Sequence, residues 1–363
     1  MSWPDGGVAT EGFRKLSTVL AWISLLVDAG QYATIRGRQT GGPQDMVNIS
    51  KSKIAADIPV AERAVSRRRN LSDVLSDEDF IPKSSLSPGE IADGIVLHVS
   101  CQVQQVPHIP SIAASIAAQI GVSVTMVGGA EFCCGAYHRH AGDIDFENQI
   151  ATASLKGIGR SGAREFVSFC PSCDDSFGRY NSGTKLRQIN LTQFLVERIH
   201  RLKPLLRPVP CNILLHRHLG DDNRLRDSAN IRTLLEVIPG VRIRESSLAD
   251  GEGPSCQSFR PMSKDRTVGM FAEAQRQGVD FVVVPYHSCY RQHCKMQIDY
   301  GIEVHHYLGL LAKSLGIGFR EGFKELRLLN DVDEATARVG RRAAELGFSS
   351  AEVQSFMRKV VYC

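Results

Sequence analysis

Ile95-Val96-Leu97-His98-Val99-Ser100-Cys101 is a short apolar run that ends on a cysteine, and it sets the pattern for the residues that follow. A run of this kind suits a strand buried in a parallel sheet. Pro110 to Ile120 then predicts an Ala/Ile-rich helix and Val122 to Val127 a second strand. The loop Gly128-Gly129-Ala130-Glu131-Phe132 leads from it into Cys133-Cys134-Gly135. Asp143 to Gly157 predicts another helix, and Glu165 to Phe169 a third strand that runs into Cys170-Pro171-Ser172-Cys173. Each cysteine group thus falls where a strand ends, which is where α/β sheets build their sites.

Working outward, a second copy begins after Pro208 at a constant offset of 116 residues. Asn212 to Leu215 repeats the first strand, Val241 to Ile243 the second and Asp280 to Val284 the third. Leu191 to Arg201 and Glu303 to Ser314 are the corresponding helices after each third strand. The expected fold class is therefore α/β, with two pseudo-symmetric, Rossmann-like βαβ lobes on small parallel sheets. The expected organisation is an N-terminal helix and flexible linker over 1–93, a first lobe over 94–207 that carries the thiols, a second, chemically degenerate lobe over 208–320 and a helical tail over 321–363. The tail from Asp331 to Cys363 reads as two closing helices.

Composition narrows the function classes. With 363 residues, 43% of them hydrophobic and 23% charged, the chain is ordinary for a globular protein, and its net charge of +4 gives no reason to expect nucleic acid. The apolar run Leu16 to Val27 has 12 residues, whereas a bilayer span needs about 20, so it predicts a helix docked on the body or on a partner subunit. Arg14 and Lys15 precede it as in a secretion signal, but no clear small-x-small cleavage site follows, and the expected location is cytoplasmic, peripheral to a membrane only through a partner. Arg67-Arg68-Arg69 reads as a solvated face of the arm. Ten cysteines in a chain of this size favour metal or redox chemistry over a disulfide framework.

Adjacent Cys133 and Cys134 cannot easily bond each other, yet both can reach one large inorganic centre. Thiolates are soft donors that select zinc, copper(I) or iron–sulfur clusters. Five donors, Cys101, Cys133, Cys134, Cys170 and Cys173, exceed the four that one zinc ion takes, while a cluster can use them all. Taken alone, Cys170-x-x-Cys173 would also suit a redox dithiol. In the second lobe Cys101 becomes Arg217 and Cys170 becomes Tyr286. His216, His218, Cys256, His287, Cys289, His293 and Cys294 nevertheless offer enough donors for a zinc or mixed His/Cys site, the bland alternative being polar residues at strand ends. His138 and His140 follow Gly135 as candidate catalytic proton donors. Cys211, Cys294 and Cys363 fall in no motif and read as packed thiols.

The order Cys, Cys-Cys-Gly, Cys-x-x-Cys on duplicated α/β halves resembles the cysteine-rich CCG domain found in heterodisulfide reductase and in the iron–sulfur subunits of glycolate and lactate oxidases, over about residues 94 to 320. The resemblance implies a [4Fe–4S] cluster on Cys101, Cys133, Cys134, Cys170 and Cys173, non-cubane as the first expectation and cubane as the other form. It implies an oxidoreductase subunit relaying electrons to or from a thiol or disulfide. The implied partner is a protein carrying flavin or ferredoxin-type clusters, because the chain has no ferredoxin run, dinucleotide fingerprint or Walker loop of its own. The second lobe keeps His218-Leu219-Gly220 with Arg217 in place of a cysteine, and Pro285-Tyr286-His287-Ser288-Cys289 in place of Cys-Pro-x-Cys, so a second cluster is not expected. An electron-transfer subunit of a glycolate- or lactate-type dehydrogenase and a zinc-held structural or assembly protein are the rival readings.

Overall fold

Every residue of β1 (Ile95–Val99) is buried, as its unbroken aliphatic composition requires of a strand covered on both faces. The computed structural model describes residues 74–75, 82–83, 85–91, 94–140, 143–251, 253 and 262–362. The apolar helix expected at Leu16 to Val27, Arg67-Arg68-Arg69, Cys256 and Cys363 lie outside the described residues.

In the first lobe β1 lies parallel between β2 (Val124–Gly128) and β3 (Glu165–Ser168), and β4 (Arg187–Asn190) pairs with the outer side of β3. The second lobe contains β5 (Cys211–Leu215), the two-residue β6 (Arg217–His218), β7 (Val241–Arg244), the two-residue β8 (Asp250–Gly251), β9 (Phe281–Val284) and β10 (Glu303–His306). Its main sheet runs β10-β9-β5-β7, while the first runs β2-β1-β3-β4. Read in matching direction, both place their second, first, third and fourth long strands in the same spatial order. β6 and β8 form a separate parallel pair.

The offset of 116 carries β1, β3 and β4 onto β5, β9 and β10. Each lobe has a fourth strand, and Glu303–His306, expected as the start of a helix, is one of them. Val304, His305 and His306 are buried beside β9, so parallel pairing overrides any local helical tendency in so short a segment.

Helices fill the crossovers. α1 (His108–Gln119) joins β1 to β2, α2 (Ala136–His140) and α3 (Ile144–Arg160) join β2 to β3, and α4 (Pro171–Tyr180) joins β3 to β4. α5 (Leu191–Glu197) and α6 (Ile199–Leu202) lead to the second lobe, which carries α7 (Asp222–Glu236), α8 (Lys264–Arg276), α9 (His287–His293), α10 (Met296–Tyr300) and α11 (Tyr307–Leu315). α12 (Gly322–Leu329) precedes the closing helices α13 (Val332–Glu345) and α14 (Ser350–Phe356). Local sequence fixes several ends: Asp143 accepts from Phe146 N to cap α3, and Ser349 with Glu352 forms a capping box on α14. None of the described helices is long and apolar enough to cross a membrane.

Alternation along β1 divides the core. Ile95, Leu97 and Val99 face a large cluster that continues through the second lobe into α13 and α14. Val96 faces a smaller cluster with Phe132, Cys134, Leu155, Phe166, Cys173 and Phe177, packed under α3 and α4. Val74 and Leu75, within the segment read as linker, are buried in the larger cluster, where Gly322 packs against the Leu75 carbonyl.

Candidate metal centre

Three parallel strands of the first lobe deliver five thiols to one end of the sheet. Cys101 lies in the turn just after β1, Cys133 and Cys134 follow the single 3-10 turn Ala130–Phe132 beyond β2, and Cys170 caps α4 directly after β3. Pro171 occupies the first helical position, where its missing N–H costs nothing, and Cys173 sits in that first turn. Gly135 lets the Cys-Cys pair turn into α2, since its φ of +73° is a left-handed conformation that side chains resist.

The thiols interact directly. Cys133 hydrogen-bonds to Cys134, Cys173 to both Cys134 and Cys170, and these bonds are the first cause of raised pKa values at Cys133 and Cys173. The same bonds hold Cys134 well below the ordinary thiol value, with the Ala136 amide and His98 assisting, and they lower Cys170, which also accepts from the Cys173 amide. Cys134 and Cys173 are buried, Cys133 and Cys170 half-buried, and Cys101 exposed. The Cys101 thiol is nonetheless pushed up to about 12, first by the protein packed around it and then by Cys134 and Cys170. Cys101 is the most exposed of the five residues and lies on the outer side of the site.

The surroundings thus lower the pKa at two positions, Cys134 and Cys170, and raise it at the other three. That division is how crowded sulfurs limit mutual repulsion, and a polynuclear cation would relieve it by taking all five as thiolates. The donor set therefore fits an iron–sulfur centre.

Two residues without an assigned role in the sequence reading hold this arrangement. His98, on the same face of β1 as Val96, donates from Nε2 to the Phe132 carbonyl at 2.7 Å and packs edge-on against Phe177. Burial keeps it below the usual histidine value. Glu147, on α3, is wholly buried and accepts from Ser176 Oγ at 2.8 Å, Arg179 Nη2 at 2.7 Å, Tyr180 OH at 2.7 Å and Arg139 Nη1 at 3.2 Å. Burial works to raise its pKa, but these four donors outweigh it and hold the group at about 2. Ser176 also donates to the Cys134 carbonyl, so the acid network reaches the buried ligand loop. Both had a readable signal: a histidine inside an apolar strand, and an acid on the inward stripe of α3 with Ala151, Leu155 and Ile158.

The second lobe backs the site. Arg224, fully buried on α7, donates to Asp175 Oδ2 at 2.5 Å and to the carbonyl of Pro171 at 3.3 Å. Arg291 on α9 donates to Gln102 Oε1 at 3.3 Å, beside Cys101.

Of the predicted proton donors, His138 lies on α2 with its ring edge-on to Phe146, while His140 ends the same helix. The second-lobe donors separate. His216, His218 and Cys289 come together, His293 packs edge-on to His216, and His287 and Cys294 are buried elsewhere, Cys294 in the apolar core. Cys211 is likewise packed in that core.

Residues 95–178 match the family model CCG, described as a cysteine-rich domain. That match spans all five thiols, and a CCG domain points to metal-bound or iron–sulfur redox chemistry of the oxidoreductase type. No curated protein matches the chain. Similar solved structures include an aspartate racemase homologue from Pyrococcus horikoshii OT3, 14% identical, with 61% of this chain and 97% of that one covered at a TM-score of 0.29. A hypothetical protein from Helicobacter pylori is 7% identical, with 76% of this chain and 60% of that one covered at a TM-score of 0.42.

Proposed function

We propose that the chain is the iron–sulfur redox subunit of a heterodisulfide-reductase-like complex in the cytoplasm, with Cys101, Cys133, Cys134, Cys170 and Cys173 as ligands of one [4Fe–4S] cluster. The observation that carries this reading is the convergence of five mutually hydrogen-bonded or charge-coupled thiols at one sheet end, more than a single zinc ion takes. When bound, such a cluster supplies one-electron storage and iron that can take a sulfur ligand.

The protein's own groups do the rest. Cys134 and Cys170 are disposed to ligate as thiolates, and the other three lose their protons on binding. Cys101 marks the open side, by which a small thiol or disulfide reaches the centre. His138, which senses the Cys134 charge and is held by burial below the ordinary histidine value, is neutral at pH 7. It takes the proton from an arriving thiol and returns it to a departing thiolate in the reverse direction, with His140 on the same helix as the second candidate. Electrons come from a flavin- or ferredoxin-type partner.

Anaerobically purified protein tests the reading by metal and sulfide analysis. About four irons and four sulfides per chain are expected; four-sulfur zinc in the first lobe without labile sulfide would refute it. A thiol or disulfide that changes the EPR signal of the cluster supports sulfur chemistry. An unchanged signal with every such compound points instead to electron relay alone, as in a glycolate- or lactate-type dehydrogenase.

A further inference from the structure

We propose that His216, His218 and Cys289 bind a zinc ion in the second lobe, independently of the five-thiol site. His216 follows β5, His218 ends β6 and Cys289 lies in the first turn of α9, so the site occupies the strand-end crevice equivalent to that of the first lobe. At the offset of 116, Cys289 stands where Cys173 stands in the first lobe.

The three residues are 1% exposed or less, and one donor atom from each lies within 4.8 Å of the others. The two Nε2 atoms are 3.1 Å apart, and His218 Nε2 is 3.2 Å from Cys289 Sγ. On the far side of each ring, His216 Nδ1 meets the Ala249 carbonyl at 2.5 Å and His218 Nδ1 meets the Gly253 carbonyl at 2.6 Å. A carbonyl only accepts, so both Nδ1 atoms carry a proton; when the rings are neutral, both aim an Nε2 lone pair at the same point.

Two lone pairs and a sulfur converging in a water-excluded pocket require a cation. A proton could serve only as a buried imidazolium, whereas a metal ion uses all three donors at once. Histidines fixed by Nδ1–H bonds to backbone carbonyls are also the usual outer support of a metal ligand.

The donor type selects the ion. Two imidazoles and one thiolate, with no carboxylate among them, disfavour magnesium and calcium. Zinc at 2.0–2.1 Å from nitrogen and about 2.3 Å from sulfur gives tetrahedral edges of about 3.3 Å between nitrogens and about 3.6 Å from nitrogen to sulfur. The trigonal plane of a copper electron-transfer site would stretch these to about 3.6 and 3.8 Å. The observed 3.1 and 3.2 Å are shorter than either set, so the donors part slightly on binding, and the experiment below distinguishes the two metals. Binding releases the thiol proton of Cys289 to solvent, leaving a thiolate on zinc and two neutral imidazoles. With three protein donors the ion keeps one position for a further ligand, and its burial means that it fastens the β5–β6 turn to α9 where no cluster is expected.

Zinc K-edge X-ray absorption on the anaerobically purified full chain, with total zinc, copper and iron content, tests the proposal. About one zinc per chain is expected, with a first shell containing two imidazole nitrogens at about 2.0–2.1 Å and at least one sulfur at about 2.3 Å. His218→Gln and Cys289→Ser should each lower zinc at least tenfold and leave iron unchanged. Absence of zinc, copper in its place, or a zinc shell without two imidazoles overturns the proposal whatever the iron content. Should either variant fail to fold, the spectrum of the unmodified protein still decides. Iron and sulfide content judge the first-lobe reading separately.

Discussion

A Cβ placed on Gly135 would lie 2.9 Å from the Cα of Glu147 and 3.0 Å from its carbonyl oxygen. The Cys-Cys-Gly turn therefore rests directly on the backbone of α3, and its glycine is required twice, by this contact and by its φ of +73°. Gly135→Ala should cost about 2–4 kcal/mol, combining about 1–2 for the left-handed conformation with the overpacking strain. Urea denaturation of the metal-free protein measures the loss. Iron content should fall with it, because relieving the clash displaces Cys133 and Cys134.

Glu147 carries the next prediction. Its folded pKa of about 2 lies below the reference value of 4.5, so the group stabilises the fold above about pH 4.5, and that stability is lost as pH falls toward 2. Glu147→Gln keeps the shape but removes the charge that Arg139 and Arg179 face, at a cost of about 1–3 kcal/mol near neutral pH. Both arginines are partly exposed, so water offsets some of the loss. A plot of stability against pH should rise less between pH 2 and 4.5 in the variant than in the wild type. Parallel curves would remove Glu147 from that titration.

How much of this was legible depended on composition and on chemistry. The lobes announced themselves because a 116-residue offset superposes short apolar strands, and the five thiols because cysteine spacing is discrete. The fourth strands were hidden: Arg187–Asn190 and Glu303–His306 are mostly polar, lie at sheet edges and run straight into α5 and α11, so no apolar run marked them. The Glu147 network was hidden differently. Its donors Ser176, Arg179 and Tyr180 lie about thirty residues away in sequence and meet it only when α4 packs on α3. The second-lobe donors were legible as a pool but not as a set, since only the fold joins His216 and His218 to Cys289 and leaves Cys294 in the core.

Arg224 joins the lobes behind the Cys-Pro-Ser-Cys turn. Besides Asp175 and the Pro171 carbonyl, its guanidinium lies 3.7 Å from the buried Asp227 carboxylate. Truncating one partner of a buried charge network costs about 3–5 kcal/mol. Arg224→Ala should therefore lower stability by that order and weaken cluster retention, although every thiol remains. Arg224→Lys should recover only part, because a single ammonium cannot reproduce the forked contacts. Thermal unfolding and iron content of the two variants, compared side by side, check this ordering.

Cys134 and Cys294 make the sharpest comparison, since both are buried thiols of the same residue type. Cys134 takes hydrogen bonds from Cys133 and Cys173 and sits well below the usual thiol value, whereas burial pushes Cys294 up to about 12 within an apolar core. A low-pKa thiol among other thiols is disposed to ligate, and a thiol that burial keeps protonated to pack. Cys134→Ser replaces a soft donor by a hard one and should remove most of the iron. Cys294→Ser should keep full iron content and lose only about 1–3 kcal/mol of stability, from the polar hydroxyl placed in the core. Iron and sulfide assays after anaerobic reconstitution separate the two outcomes. Full iron in Cys134→Ser would contradict the ligand assignment, and iron loss in Cys294→Ser would show that cluster retention follows stability rather than donors.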